Sequence, residues 1–183
     1  MIAKSEESYP LSIVPAEDDP DFSEEKQIIL SLPHPKWFKD SLLDLPQDLA
    51  EATAANKGLI LYFGQRICTY CDALLNDTLG KQDIIRYTQN YFDVIAFDVE
   101  GKLVITTLSG VRETESAFAQ IEKTYFTPSL IFYDNNGKEA LRLRGYQSPY
   151  EFRAAIDYVV SSAFNRQSFK KYLAQTSSFK KRE

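Results

Sequence analysis

The sequence predicts one α/β domain, a mixed sheet covered by helices on both faces, preceded by an N-terminal extension. Three observations point there. Leu59 to Phe63 is an unbroken apolar run with a glycine on each side, as expected of a strand buried on both faces. A helical pattern then separates it from a second such run, Asp93 to Val99, and strand, helix, strand calls for a parallel pair joined by a crossover. Finally, Asn135-Asn136-Gly137 divides two apolar-rich runs, a hairpin signal because Asn and Gly tolerate positive φ.

In chain order, residues 1–35 are rich in Pro, Asp, Glu and Ser without a helical or alternating period, and read as an acidic extended arm. The domain, residues 36–183, is expected to open with a short helix through "PKWFKDSLLDL" that turns Trp37, Phe38, Leu42 and Leu43 to one side. Pro46 suits the first turn of a second helix, "PQDLAEATAAN", which Gly58 ends. After the first strand, Leu74, Leu75, Thr78 and Leu79 recur at helical spacing from Thr69, and Gly80 is the stop. "KQDIIRYTQNYF" is a further helix leading into the second strand. "EGKLVITTLSG" reads as a turn with a short strand or hairpin, and "RETESAFAQIEKTY" as a helix with Phe118 and Ile121 inward. The hairpin comes next, then an amphipathic helix in "SPYEFRAAIDYVVSSAF", a short helix in "RQSFKKYLAQ" and a basic tail.

At 183 residues the chain suffices for one domain with a sizeable core. Its net charge of −5 argues against a general affinity for nucleic acid, because phosphate binding needs a concentrated basic surface. No apolar run reaches the roughly 18 residues of a membrane span, so none is expected, and residues 1–25 lack the pattern of a secretory signal.

Chemistry concentrates in "GQRICTYCDALLNDTL", which holds both cysteines, Cys68 and Cys71. Three apart at a helix start, they lie on one turn and can form a disulfide with little backbone movement. Unpaired N–H groups and the helix dipole favour a thiolate there, so Cys68 is expected to titrate below the roughly 8.5 of a free thiol and to act as nucleophile. Cys71, one turn further in, is the resolving residue that attacks the mixed disulfide. Arg66 favours the Cys68 thiolate, whereas Asp72 stabilises the helix start but opposes a second negative charge. A closed zinc site needs four ligands, and the chain offers two cysteines and His34, so no metal or other cofactor is expected. A copper(I) site on the two thiolates and a peptide-binding groove are the non-enzymatic alternatives. A purely structural clip gains little from so small a loop. A C-x-x-C beside a βαβ pattern reads as a redox motif.

With these elements placed, the chain resembles the thioredoxin superfamily. More narrowly, "WFKDSLLDL", "LYFGQRICTYCDALL", "FTPSLIFYD", "RLRGYQSPYEFRAAIDYV" and "FKKYL" resemble the SoxW-like group of bacterial thioredoxin-related proteins, over roughly residues 36 to 175. The resemblance implies a thioredoxin-like fold and a cis Pro128 packed beside the cysteines. It also implies that Thr127 offers its backbone to an extended substrate, with Thr69, Tyr70, Thr127 and Pro128 as the substrate-binding set. It implies a thiol-disulfide oxidoreductase acting on a disulfide-containing protein, more a reductase than an oxidase or isomerase. The compartment it implies is the periplasm, with the signal peptide absent from this chain and the cytoplasm as the alternative, and the electron source a membrane thiol carrier. Departures from thioredoxin are Ile67 for a tryptophan, Thr69-Tyr70 for Gly-Pro, and Tyr62 for a buried aspartate six residues before the first cysteine. Proton transfer to Cys71 would then use water or another group.

Overall fold

A computed structural model describes residues 31–180. Helix α1, Leu45–Ala54, starts at Asp44, whose carboxylate accepts from the Gln47 N–H, with Pro46 in its first turn. Strand β1, Gly58–Gly64, follows, then α2, Thr69–Ala73, which continues as a π-helical turn through Leu74–Thr78. Helix α3, Gln82–Tyr91, leads directly into β2, Phe92–Asp98. A small separate hairpin pairs β3, Val104–Thr106, with β4, Arg112–Thr114, ahead of α4, Glu115–Ile121. The main hairpin is β5, Ser129–Tyr133, with β6, Glu139–Arg144, and the chain closes with α5, Pro149–Val160, and α6, Phe169–Lys180.

The main sheet has the order β2-β1-β5-β6, with β1 and β2 parallel and the other neighbours antiparallel. Alternation along β1 builds a core on each face. Leu59, Leu61 and Phe63 pack on one side with Leu45 of α1 and Phe118 of α4, whereas Ile60 and Tyr62 join Leu74, Ile84 of α3 and Phe152 and Ile156 of α5 on the other. Burying each such side chain contributes roughly 1.5–3 kcal/mol. The β5–β6 turn closes through Asp134, whose carboxylate accepts from the Asn136 and Lys138 N–H groups, while Gly137 holds φ +77°.

Two expectations fail. Residues 36–43 form no helix: the Lys39 N–H donates to the Val94 carbonyl on the edge of β2, the Thr106 N–H donates to Leu43, and Leu43 sits at φ 61°. The segment is pinned to sheet edges, and Leu42 is left 79% exposed. The helix expected from Arg112 starts only at Glu115 because Arg112–Thr114 pair with β3, and Ile121 faces outward. The acidic arm lies outside the described residues apart from 31–35, where Leu32 is already buried in the core. No helix among the described residues is long and apolar enough to cross a membrane.

Candidate active site

Strand β1 ends at Gly64, directly opposite Asp98 at the end of β2, and the chain then turns through Gln65, Arg66 and Ile67 to the start of α2. Cys68 is the N-cap of that helix. Its backbone is extended, and its sulfur accepts the Cys71 N–H at 3.1 Å, so an otherwise unpaired donor of the first turn points at the residue expected to attack. Cys71 lies one turn deeper, 2% exposed against a half-buried Cys68, and the two are joined in a disulfide with Cα atoms 5.1 Å apart. The spacing therefore does what the sequence predicts: one sulfur at the surface, one behind it, within bonding reach.

Thr127 and Pro128 precede β5, and the bond between them is cis. Pro128 is buried, and Thr127 is half-buried with its Oγ1 3.4 Å from Cys68 Sγ. The same hydroxyl donates to Gln65 Oε1 at 3.1 Å, and Gln65 Nε2 donates to the Ile67 carbonyl at 3.1 Å. Thr69 and Tyr70 are both exposed between the cysteines, and Ile67, Tyr125 and Phe126 add further exposed apolar surface on the flanking segments.

The charged neighbours behave differently from expectation. Arg66 Nε lies 3.8 Å from Asp98 Oδ2, and its guanidinium donates to the Ser31 carbonyl, so a carboxylate partly neutralises the cation meant to favour the thiolate. Asp72 is exposed in the first turn of α2. Tyr62 stands edge-on to Phe38, fully buried, and burial drives its phenol far above the usual tyrosine range, so it stays neutral. His34 stacks on Phe38 with ring centroids 5.5 Å apart, a packing role. Among the described residues no cluster of three or more His, Cys, Asp and Glu is placed to hold a metal ion.

Two residues escaped sequence reasoning. Gln65 is a polar residue after a buried strand, and no spacing rule distinguishes it. Glu115 reads as an ordinary acidic residue in a first helical turn, yet it is 1% exposed. Its Oε1 accepts the Asp98 N–H at 3.0 Å, while Oε2 has no partner among the described residues. Burial pushes its carboxyl up to about 7; the Asp98 N–H opposes this and the Asp98 charge adds to it. Gly101 makes room for it, since a Cβ there would lie 2.0 Å from Oε2.

Residues 45–160 match the model of a thioredoxin-like domain, the stretch from α1 to the end of α5 that contains both cysteines and Pro128. The fold is similar to that of a thioredoxin-fold protein from Helicobacter pylori, at 18% identity over 68% of this chain and 86% of that one, with a TM-score of 0.56. It is also similar to a poplar thioredoxin h mutant, at 17% identity over 73% and 93% of the two chains, with a TM-score of 0.51. No curated protein matches the chain significantly. The four-stranded mixed sheet, the helices on its two faces and the matched stretch agree, and the chain belongs to the thioredoxin-like domain family.

Proposed function

We propose that this protein is a thiol-disulfide oxidoreductase that reduces disulfides in partner proteins. The supporting observation is the asymmetry of the pair: Cys68 half-exposed at a helix start and receiving the Cys71 N–H, Cys71 buried behind it. In the reduced protein the Cys68 thiolate attacks one sulfur of the partner's disulfide. A new S–S bond forms, and the partner's other sulfur leaves as a thiolate and takes a proton from water. Cys71, deprotonated, then attacks Cys68 Sγ, expelling the partner's second sulfur, which is protonated in turn. The partner gains two electrons and two protons, and the Cys68–Cys71 disulfide is the product; a thiol donor must reduce it before the next cycle.

Thr69, Tyr70, Thr127 and Pro128 contact the extended substrate segment. Further expectations follow from the resemblance to the SoxW-like group: a periplasmic setting and a membrane thiol carrier as donor. Cys71→Ser tests the mechanism, because without the resolving thiol mixed disulfides with partner proteins accumulate, visible on non-reducing gels and lost in Cys68→Ser. Equilibrating the wild-type protein in defined thiol/disulfide buffers gives the direction of flow: a potential near roughly −270 mV supports a reductase, whereas one near about −120 mV makes it an oxidant. A pair that never cycles reversibly sinks the redox reading and leaves the peptide-groove or copper(I) function.

A further inference from the structure

The hydroxyl of Thr127 stands between two acceptors and has one proton to give. Gln65 Oε1 is 3.1 Å away and Cys68 Sγ 3.4 Å away. Gln65 cannot reverse its amide without loss, because Nε2 is occupied by the Ile67 carbonyl, two residues along the same loop. The carbonyl end of the amide is therefore held toward Thr127.

Which acceptor wins depends on the state of the sulfur. In the disulfide, Cys68 Sγ is neutral and a weak acceptor, so the proton stays with the amide oxygen. Once the pair is reduced and Cys68 ionises, the sulfur carries a full charge, and a hydrogen bond to an ionised acceptor is roughly twice as strong as one between neutral groups. Rotation about the Thr127 Cβ–Oγ1 bond then turns the proton from Gln65 to Cys68. Forming the thiolate gains that bond and gives up the one to Gln65.

We propose that Gln65 is a positioning residue for the nucleophile: by competing for the Thr127 proton it keeps Cys68 protonated to higher pH than Thr127 alone would allow. The inference rests on the oxidoreductase reading for its functional meaning. A less stable thiolate means a less stabilised reduced form, so the competition makes the pair a stronger reductant.

The test is the pH midpoint of Cys68 thiolate formation in the full reduced chain, read from absorbance at 240 nm and from the rate of alkylation at Cys68 measured by mass. Gln65→Leu removes the competing acceptor at similar size, and the midpoint is expected to fall by about half to one unit, with alkylation below the midpoint about 2- to 4-fold faster, because a better stabilised thiolate is also a weaker nucleophile. Gln65→Met, equally without a strong acceptor, should do the same, which guards against a packing artefact of one variant. Thr127→Val removes the proton itself and should raise the midpoint. The combination Gln65→Leu with Thr127→Val should match Thr127→Val alone.

An unmoved midpoint in both Gln65 variants overturns the proposal, as does an equal shift from Gln65→Leu whether or not Thr127 keeps its hydroxyl. These titrations do not require turnover. A wild-type pair that fails to cycle in thiol buffers would sink the oxidoreductase reading, whereas missing coupling in a pair that does cycle sinks this inference alone.

Discussion

Glu115 carries an ionisable group where charge is costly, and the cost has a sign that can be measured. Its folded carboxyl titrates at about 7, above the 4.5 of an unperturbed glutamate. Between those values the folded state holds a proton that the unfolded state has lost, so stability falls as pH rises through this window and levels off above it. The displacement corresponds to about 3 kcal/mol at most. Asp48, also raised mainly by burial, acts in the same direction. Urea midpoints taken from pH 5 to pH 8 should therefore decline, and in Glu115→Gln the decline should flatten. An equally steep decline in that variant would place the proton elsewhere. Gly101→Ala should destabilise at every pH, because the new Cβ would collide with Oε2.

At the level of elements, α5 is the clearest case of local sequence dictating structure. Ser148 accepts the Glu151 N–H, the Glu151 carboxylate returns to the Ser148 N–H, and Pro149 opens the first turn. Ser148→Ala should cost about 1 kcal/mol, seen as a lower thermal midpoint by circular dichroism; no loss would mean that packing of Phe152 and Ile156 alone sets the helix. Elements of this kind were legible from the chain: β1 by its unbroken apolar run, the main hairpin by Asn-Asn-Gly, α2 by the cysteines and the leucines after them. Trp37, Phe38, Leu42 and Leu43 imitate a helical stripe, but sheet-edge hydrogen bonds from Lys39 and to Leu43 override it. Arg112–Thr114 carry no apolar alternation, and only their pairing with β3 makes them a strand. The cysteine pair could be read from its spacing. Gln65 and Glu115 could not, because their significance lies in which backbone and side-chain atoms the fold brings to them from 17 to 62 residues away.

For the molecule as a whole, stability and chemistry draw on different residues around one shared core. The site sits where β1 gives way to α2, whose continuation places Leu74 on the face that carries Ile60 and Tyr62, and α6 extends that same face at the C-terminal end. There Tyr158 of α5 packs against Phe164, Phe169 and Tyr172, with ring centroids 5.3 to 6.4 Å apart, and donates to the Gln167 carbonyl. None of these residues hydrogen-bonds to Gln65, Cys68, Cys71 or Thr127 among the described residues. Phe169 is half-buried, so Phe169→Ala should cost less than the roughly 3–5 kcal/mol of a fully buried phenylalanine, about 2 kcal/mol. For a chain of this size that is a fall in melting temperature of about 4–8 °C. The Cys68–Cys71 potential should stay at its wild-type value, because neither the N-cap geometry nor the Thr127 hydroxyl depends on α6. Measuring both quantities on the one variant decides the matter: a potential that moves with the melting temperature would mean that the far helix is coupled to the redox loop through the shared core, and that stability and reactivity in this fold are not separable.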